Sequence, residues 1–194
     1  MTKLLLILTL FCVALSAEDQ KSHIVEDKAQ KSTYLGDKRE GMTWWYNNEG
    51  GIKSKVNFSN GKENGLYTSY HDNGKEKLVV HYVMGQKDGI QNIYFDNGQL
   101  GSKVNYDLGR REGVMTEWDV DGFKSSEVFY KRNYKVGIKK YFDHSGKVSM
   151  TQEFKMDRNP VMQKMLKDKQ EETLIDLRKY GLMPKDASKE ESMR

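Results

Sequence analysis

Four histidines, His23, His71, His81 and His144, offer the sharpest chemistry in the chain. An imidazole serves as a base or a metal ligand only with companions in reach. His23 lies in a polar leader and His144 in a turn. His71 and His81 fall on one hairpin at positions that do not pair, and no further ligands accompany them, so no metal site is expected. The triplets Asp72-Asn73-Gly74 and Asp96-Asn97-Gly98 resemble pieces of a calcium loop. They lack the alternating oxygen ligands and terminal Glu of that loop, and turn chemistry explains them better. Ser54, Ser102 and Ser126 share a repeat column without a companion histidine, which suits a structural position rather than a nucleophile. Carboxylates sit in turns or beside lysines, with no pair marked for glycosidic chemistry. The glycines have no strand, Gly-rich loop and helix around them, so a phosphate cradle is absent too. Asn57-Phe58-Ser59 is a formal glycosylation sequon. The residues therefore point to a non-enzymatic protein with no catalytic, cofactor or metal site.

Composition agrees. The chain has 194 residues, with Lys+Arg 32 against Asp+Glu 28 and a net charge of +4. That balance excludes a dedicated nucleic-acid binder, which concentrates basic residues. Aromatic residues at 11% exclude a wholly disordered chain. A single cysteine excludes a disulfide framework, a Cys-based zinc site and an iron–sulfur cluster within one monomer.

Residues 1–17 read as a secretory signal peptide. Lys3 supplies the positive start, Leu4 to Leu15 is apolar apart from Thr9, and Ala14-Leu15-Ser16 ends the segment with small residues. Cleavage is expected after Ser16 or Ala17. The apolar run is short for a permanent membrane span. Phe11 precedes Cys12 where a lipobox wants a small residue, so a lipoprotein is not expected. The mature chain then has no cysteine, which suits an oxidising exterior such as the periplasm.

The centre is an internal repeat. Glycines recur every 24 residues at 41, 65, 89, 113 and 137, and again at 50, 74, 98, 122 and 146. A third series, Gly61, Gly85 and Gly109, continues as Asn133 and Asp157. Counting from the first series, column 2 is Met42, Leu66, Ile90, Val114 and Ile138. Column 6 is Tyr46, Tyr70, Tyr94, Trp118 and Phe142. Column 16 is Val56, Val80, Val104 and Val128, broken by Gln152, and column 18 is Phe58, Tyr82, Tyr106, Tyr130 and Phe154. Tyr34 sits on column 18 one unit earlier. A fixed period of this length marks a repeat array.

Each unit reads as a β-hairpin, since the fixed residues prefer even columns. A three-residue loop over columns 8–10, with its glycine at positive φ, would pair column 7 with 11, 6 with 12 and 2 with 16. Gly50, Gly74, Gly98, Gly122 and Gly146 are thus structural turn residues. The even face would be packed, and specificity would fall to the irregular odd face. There Trp45, Tyr67, Ile93, Phe95, Phe129 and Tyr141 form the candidate partner-binding set.

The run Tyr82-x-x-Gly85-x-x-x-Gly89-x-x-x-x-Tyr94-x-x-x-Gly98 resembles the MORN-repeat variant, and the spacing recurs from Tyr106 to Gly122. The resemblance covers roughly residues 34 to 156. It implies an all-β, elongated, open antiparallel meander of hairpins. Bacterial members are often named as YwqK-type antitoxins, although a signal peptide departs from a cytoplasmic antitoxin.

The expected organisation is a signal peptide over 1–17, a flexible leader over 18–31 and the array over 32–159. A capping helix over 160–181 and a disordered tail over 182–194 complete it. Asn159 and Pro160 suit the helix start, and Gly181 its end, with Leu182 and Pro184 following. The function expected is an exported protein-binding or scaffold module of the cell envelope. The alternatives are an antitoxin or immunity protein, and a membrane-surface or glycan binder. No cofactor is expected, and the oligomeric state is open.

Overall fold

The computed structural model describes residues 21–154 and 175–182. Alternating β-branched and aromatic residues, cut by Gly, Asn and Asp, favour short strands joined by tight turns. The strands are β1 (Ser22–Glu26), β2 (Gln30–Leu35), β3 (Lys38–Tyr46), β4 (Ile52–Ser59), β5 (Lys62–Glu63), β6 (Gly65–Tyr70) and β7 (Glu76–Val83). They continue as β8 (Gln86–Tyr94), β9 (Leu100–Asp107), β10 (Arg110–Trp118), β11 (Lys124–Lys131), β12 (Tyr134–Phe142) and β13 (Val148–Phe154). Sequence neighbours pair antiparallel along one 13-stranded meander, with β4 pairing both β6 and the short β5. The expected all-β hairpin array is what forms.

Two turns close each unit. The first is the expected three-residue loop. At 95–99, the Phe95 N–H donates to Gln99 O at 2.9 Å, and the Gly98 N–H to Phe95 O at 2.9 Å. Gly98 has φ of 93°, where a β-carbon is penalised. The other four predicted turn glycines also have positive φ. The second turn has two residues, both left-handed: Met84 (φ 48°) with Gly85, and Leu108 (φ 41°) with Gly109. That is the primed geometry that matches strand twist. A side-chain column supports it. Glu40, Asn64, Asp88 and Glu112 accept the backbone N–H of Asn60, Met84, Leu108 and Arg132 in the next unit.

The face assignment needs correction. Tyr94 pairs with Leu100 as expected, but Ile93 pairs with Ser102, so Gly101 is an extra residue. Lys53, Lys77, Ser125 and Ser149 are the equivalent bulges in the other units. One extra residue inverts the parity beyond it. Column 16 therefore lies opposite column 3, as Val104 does opposite Gln91, and column 2 lies opposite column 17, as Ile90 does opposite Asn105. Even and odd columns do not define the two faces.

One face, here the valine face, holds columns 3, 5, 14, 16 and 18. Val56, Val80, Val104 and Val128 are almost fully buried there. Each buried Val is worth about 1.5–3 kcal/mol. Cations cover the aromatic column. Arg39 lies over Phe58 at 5.3 Å, Lys87 over Tyr106 at 5.1 Å, Arg111 over Tyr130 at 4.3 Å and Lys135 over Phe154 at 5.2 Å. Burial, with the nearby charge of Arg111, lowers the Lys87 pKa. Glu63 takes the cation's place beside Tyr82, whose pKa is raised first by burial and then by that charge. Gln152 breaks the valine column because β13 is the end of the paired strands described, and the side chain there is exposed.

The opposite face, here the open face, holds columns 2, 4, 6, 15 and 17. A C-terminal segment, helical over residues 175–179 and labelled α1, covers one end of it. Leu177 and Leu182 are fully buried against Phe129 and Val136, with Val114 and Tyr134 packed alongside. Gly181 (φ 62°) ends the helix as expected. Its N–H donates to Arg178 O at 3.0 Å, and the Leu182 N–H to Leu177 O at 2.8 Å, which is a Schellman cap.

Two boundaries change. The leader expected to be flexible contains β1, held by pairing with β2 and by stacking of His23 on Tyr34 at 5.4 Å. Leu182, assigned to the tail, belongs to the docked segment and accepts a bond from the Ile138 N–H at 3.0 Å. The expected signal peptide, residues 160–174 of the expected helix and the expected tail beyond Leu182 lie outside the described residues.

Candidate functional site

The bulges redistribute the candidate binding residues. Trp45, Tyr67, Ile93 and Tyr141 lie on the valine face, where Ile93 stays exposed. The Trp45 ring is 6.2 Å from Phe58, and the Tyr67 ring meets the edge of Tyr82 at 6.2 Å. Ile93 stands between Leu78 and Ser102. The Tyr141 hydroxyl donates to Gln152 Oε1 at 3.4 Å. Phe95 lies past the end of β8 with its ring over Gly101, where a β-carbon would come within 3.0 Å of it. Phe129 is 1% exposed beneath α1 and belongs to the core. The six residues do not form one patch, and Phe129 is unavailable to a partner.

Glu117 and Lys139 form an ion pair on the valine face. Glu117 accepts from the Ser126 hydroxyl and from Lys139 Nζ, the latter at 3.0 Å. Burial alone would raise the Glu117 pKa. Those two bonds and the charges of Lys139 and Lys135 outweigh it and hold the carboxyl below its ordinary value. The histidines have separate local roles. His71 Nε2 bonds Tyr94 O at 2.9 Å, while His144 pairs with Asp119 at 3.0 Å and stacks on Phe123 at 4.7 Å. Among the described residues, no group of three or more His, Cys, Asp or Glu could hold a metal ion.

The open face carries the uncovered apolar surface. Leu66 and Ile90 in column 2 are 53% and 50% exposed. The next member, Val114, packs against the cluster that α1 seals. Two other columns explain where the chain's own segment docks. Column 17 is Asn57, His81 and Asn105 before it becomes Phe129. Column 24 is Glu40, Asn64, Asp88 and Glu112 before it becomes Val136. An apolar seat three columns wide exists only at Val114, Phe129 and Val136. Upstream, Leu66 on β6 and Ile90 on β8 are apolar points separated by polar residues: His81 on β7 lies opposite Leu66 and Asn105 on β9 opposite Ile90, as Asn57 lies opposite Met42. Column 2 was legible in the sequence as a regular column. Its exposure was not, because the bulge residues share no type.

Residues 87–107 match the MORN repeat variant. No curated protein matches. Among solved structures, a mutant S. aureus TarM in complex with Fondaparinux, alpha-GlcNAc-glycerol and UDP is similar at 11% identity, over 66% of this chain and 23% of that one, with a TM-score of 0.35. The accessory secretory protein 1, 2 and 3 structure from Streptococcus pneumoniae gives 13% identity over 63% and 19%, with a TM-score of 0.24. A GtfA/B complex bound to UDP and GlcNAc gives 9% identity over 76% and 26%, with a TM-score of 0.25. The chain thus spans about a quarter or less of those structures' own length, and likenesses this low carry no argument. The matched residues are the β8–β9 hairpin, one MORN-variant repeat, and its glycines, aromatics and register recur in the flanking units.

Proposed function

We propose that this protein is an exported, non-enzymatic protein-binding module of the cell envelope, and that it binds on its open face. MORN repeats generally serve as protein- or membrane-binding modules and are typically not enzymes. One observation carries the choice of surface. Column 2 receives a polypeptide segment at its C-terminal end, where Leu177 and Leu182 seal Val114, and lies uncovered upstream at Leu66 and Ile90. The partner chemistry follows from the rim. A polypeptide segment crossing the strands would bury Leu66 and Ile90 under two spaced apolar side chains, and polar groups between and beside them would meet His81 and Asn105. Apolar anchors ringed by polar contacts are the usual distribution of energy in such interfaces. Export rests on the Leu4–Leu15 run and its Ala-Leu-Ser end. Toxin neutralisation is the narrower form of this reading, with a toxin as the partner.

The test is cross-linking of the tagged mature protein in the envelope fraction, beside the double variant Leu66→Asp, Ile90→Asp. The variant should lose the cross-linked partner while keeping its melt, because both side chains are half exposed. Unchanged cross-linking in a folded variant overturns the choice of face. The exported protein should begin at residue 17 or 18 by intact mass; a soluble cytoplasmic protein retaining Met1 refutes export.

A further inference from the structure

The open face also carries one aromatic residue per unit in column 6. Two strands at ~4.8 Å each set successive rows ~9.6 Å apart. Column 12 fills the gaps between them. Glu76 pairs with Tyr70, and Lys124 lies over the Phe142 ring at 3.9 Å, so those gaps are charged. At the N-terminal end Ile52, paired with Tyr46, is an apolar gap too, but Lys55 lies over the Tyr70 ring beside it at 5.7 Å. Leu100 is different. It pairs with Tyr94 on β9, the strand between β8 and β10, and leaves Tyr94, Leu100 and Trp118 as an unbroken apolar floor. Among the described residues, neither the Tyr94 nor the Trp118 side chain has a hydrogen bond or a ring contact. Their partly exposed O–H and indole N–H remain available. A second row runs beside the floor on the same face: Asn92 pairs with Lys103, which pairs with Thr116 on β10. These three are two residues or one strand away from the floor, and all can hydrogen-bond, Asn92 through its amide N–H groups because its Oδ1 is buried.

We propose that Tyr94, Leu100 and Trp118 form a platform for a β-1,4-linked glycan, with Asn92, Lys103 and Thr116 reading its hydroxyl or acetamido groups. A gluco-configured ring keeps its polar groups equatorial and presents C–H faces, which suit the negative faces of aromatic rings. In a β-1,4 chain every second sugar repeats its orientation, at an interval close to the row spacing. Alternate sugars then lie on Tyr94 and Trp118, and the sugar between them lies over Leu100. The smallest complete ligand is a trisaccharide. Sheet twist of ~20–25° per strand pair turns successive rings by ~45°, so the site ends after two aromatic rows. The site is separate from Leu66 and Ile90 and does not depend on the protein-binding reading.

The experiment is calorimetric titration of the mature protein with chitotetraose, cellotetraose and maltotetraose, followed in parallel by tryptophan fluorescence. Saturable binding of at least one β-1,4 tetramer, stronger than of its disaccharide, supports the platform. Tyr94→Ala and Trp118→Ala should each weaken it about tenfold, or about 1.4 kcal/mol. Trp118→Phe should retain it, and Leu100→Gln supplies a milder lesion if the alanine variants unfold. The Leu66→Asp, Ile90→Asp variant should bind sugar as the wild type does. No saturable binding of either β-1,4 tetramer overturns the proposal. So does equal binding of the α-linked maltotetraose, unchanged binding in folded Tyr94→Ala or Leu100→Gln, or loss in the folded Leu66/Ile90 variant.

Discussion

Gly137 and Gly113 occupy the same repeat column, and replacing each by alanine separates backbone strain from docking. Gly137 has φ of 73° and Gly113 of 84°, so both alanines meet the same left-handed penalty of about 1–2 kcal/mol. Their surroundings differ. A β-carbon on Gly113 would meet nothing within 4 Å, whereas one on Gly137 would lie 2.3 Å from Leu182 O and 2.9 Å from a Leu177 methyl. The backbone oxygen cannot move while it accepts the Ile138 N–H, so the segment must lift. Lifting exposes Leu177 and Leu182, whose burial contributes about 1.5–3 kcal/mol each. Ordering the segment takes back part of this, leaving an expected excess of about 2 kcal/mol for Gly137→Ala. Urea melts measure the difference. Trypsin reports its location, since cleavage at Arg178 and Lys179 should accelerate in Gly137→Ala alone while the β-sheet circular dichroism persists. Equal stability and equal cleavage in the two variants would refute the docking and the face assignment built on it.

Gly98→Val should destabilise by more than about 1 kcal/mol, because φ is 93° and valine tolerates that region poorly; Asp96→Ala should cost less, and equal thermal shifts would contradict the loop geometry. Ser32→Ala should raise the melting temperature, since the Ser32 hydroxyl is buried with no hydrogen-bond partner and such a group costs about 1–3 kcal/mol. Glu117 should make stability fall in acid. Its folded pKa lies below the ordinary 4.5, so its contribution is present above that value and is lost as pH falls through the lower folded one. Glu117→Gln should flatten that part of a pH–stability curve, and an unchanged curve would exclude the Ser126–Lys139 network as its source.

Local chemistry determined the unit and its turn. A 24-residue period, glycines at fixed offsets and apolar columns are enough to specify hairpins, since positive φ and strand alternation are properties of neighbouring residues. The three-residue loop, its left-handed glycine and the Gly181 helix end were legible for the same reason. Which residues share a face was not. Lys53, Lys77, Gly101, Ser125 and Ser149 bulge without any common residue type, because the bulge is set by matching one strand to its partner. Each bulge shifts the register by one, which moved Trp45, Tyr67, Ile93 and Tyr141 onto the packed valine face and exposed Leu66 and Ile90. Phe129 shows the other kind of information that tertiary structure alone supplies. Its burial depends on Leu177 and Leu182, about fifty residues away. No local pattern around Phe129 encodes a contact at that separation, because burial is decided by what the folded chain brings against a face.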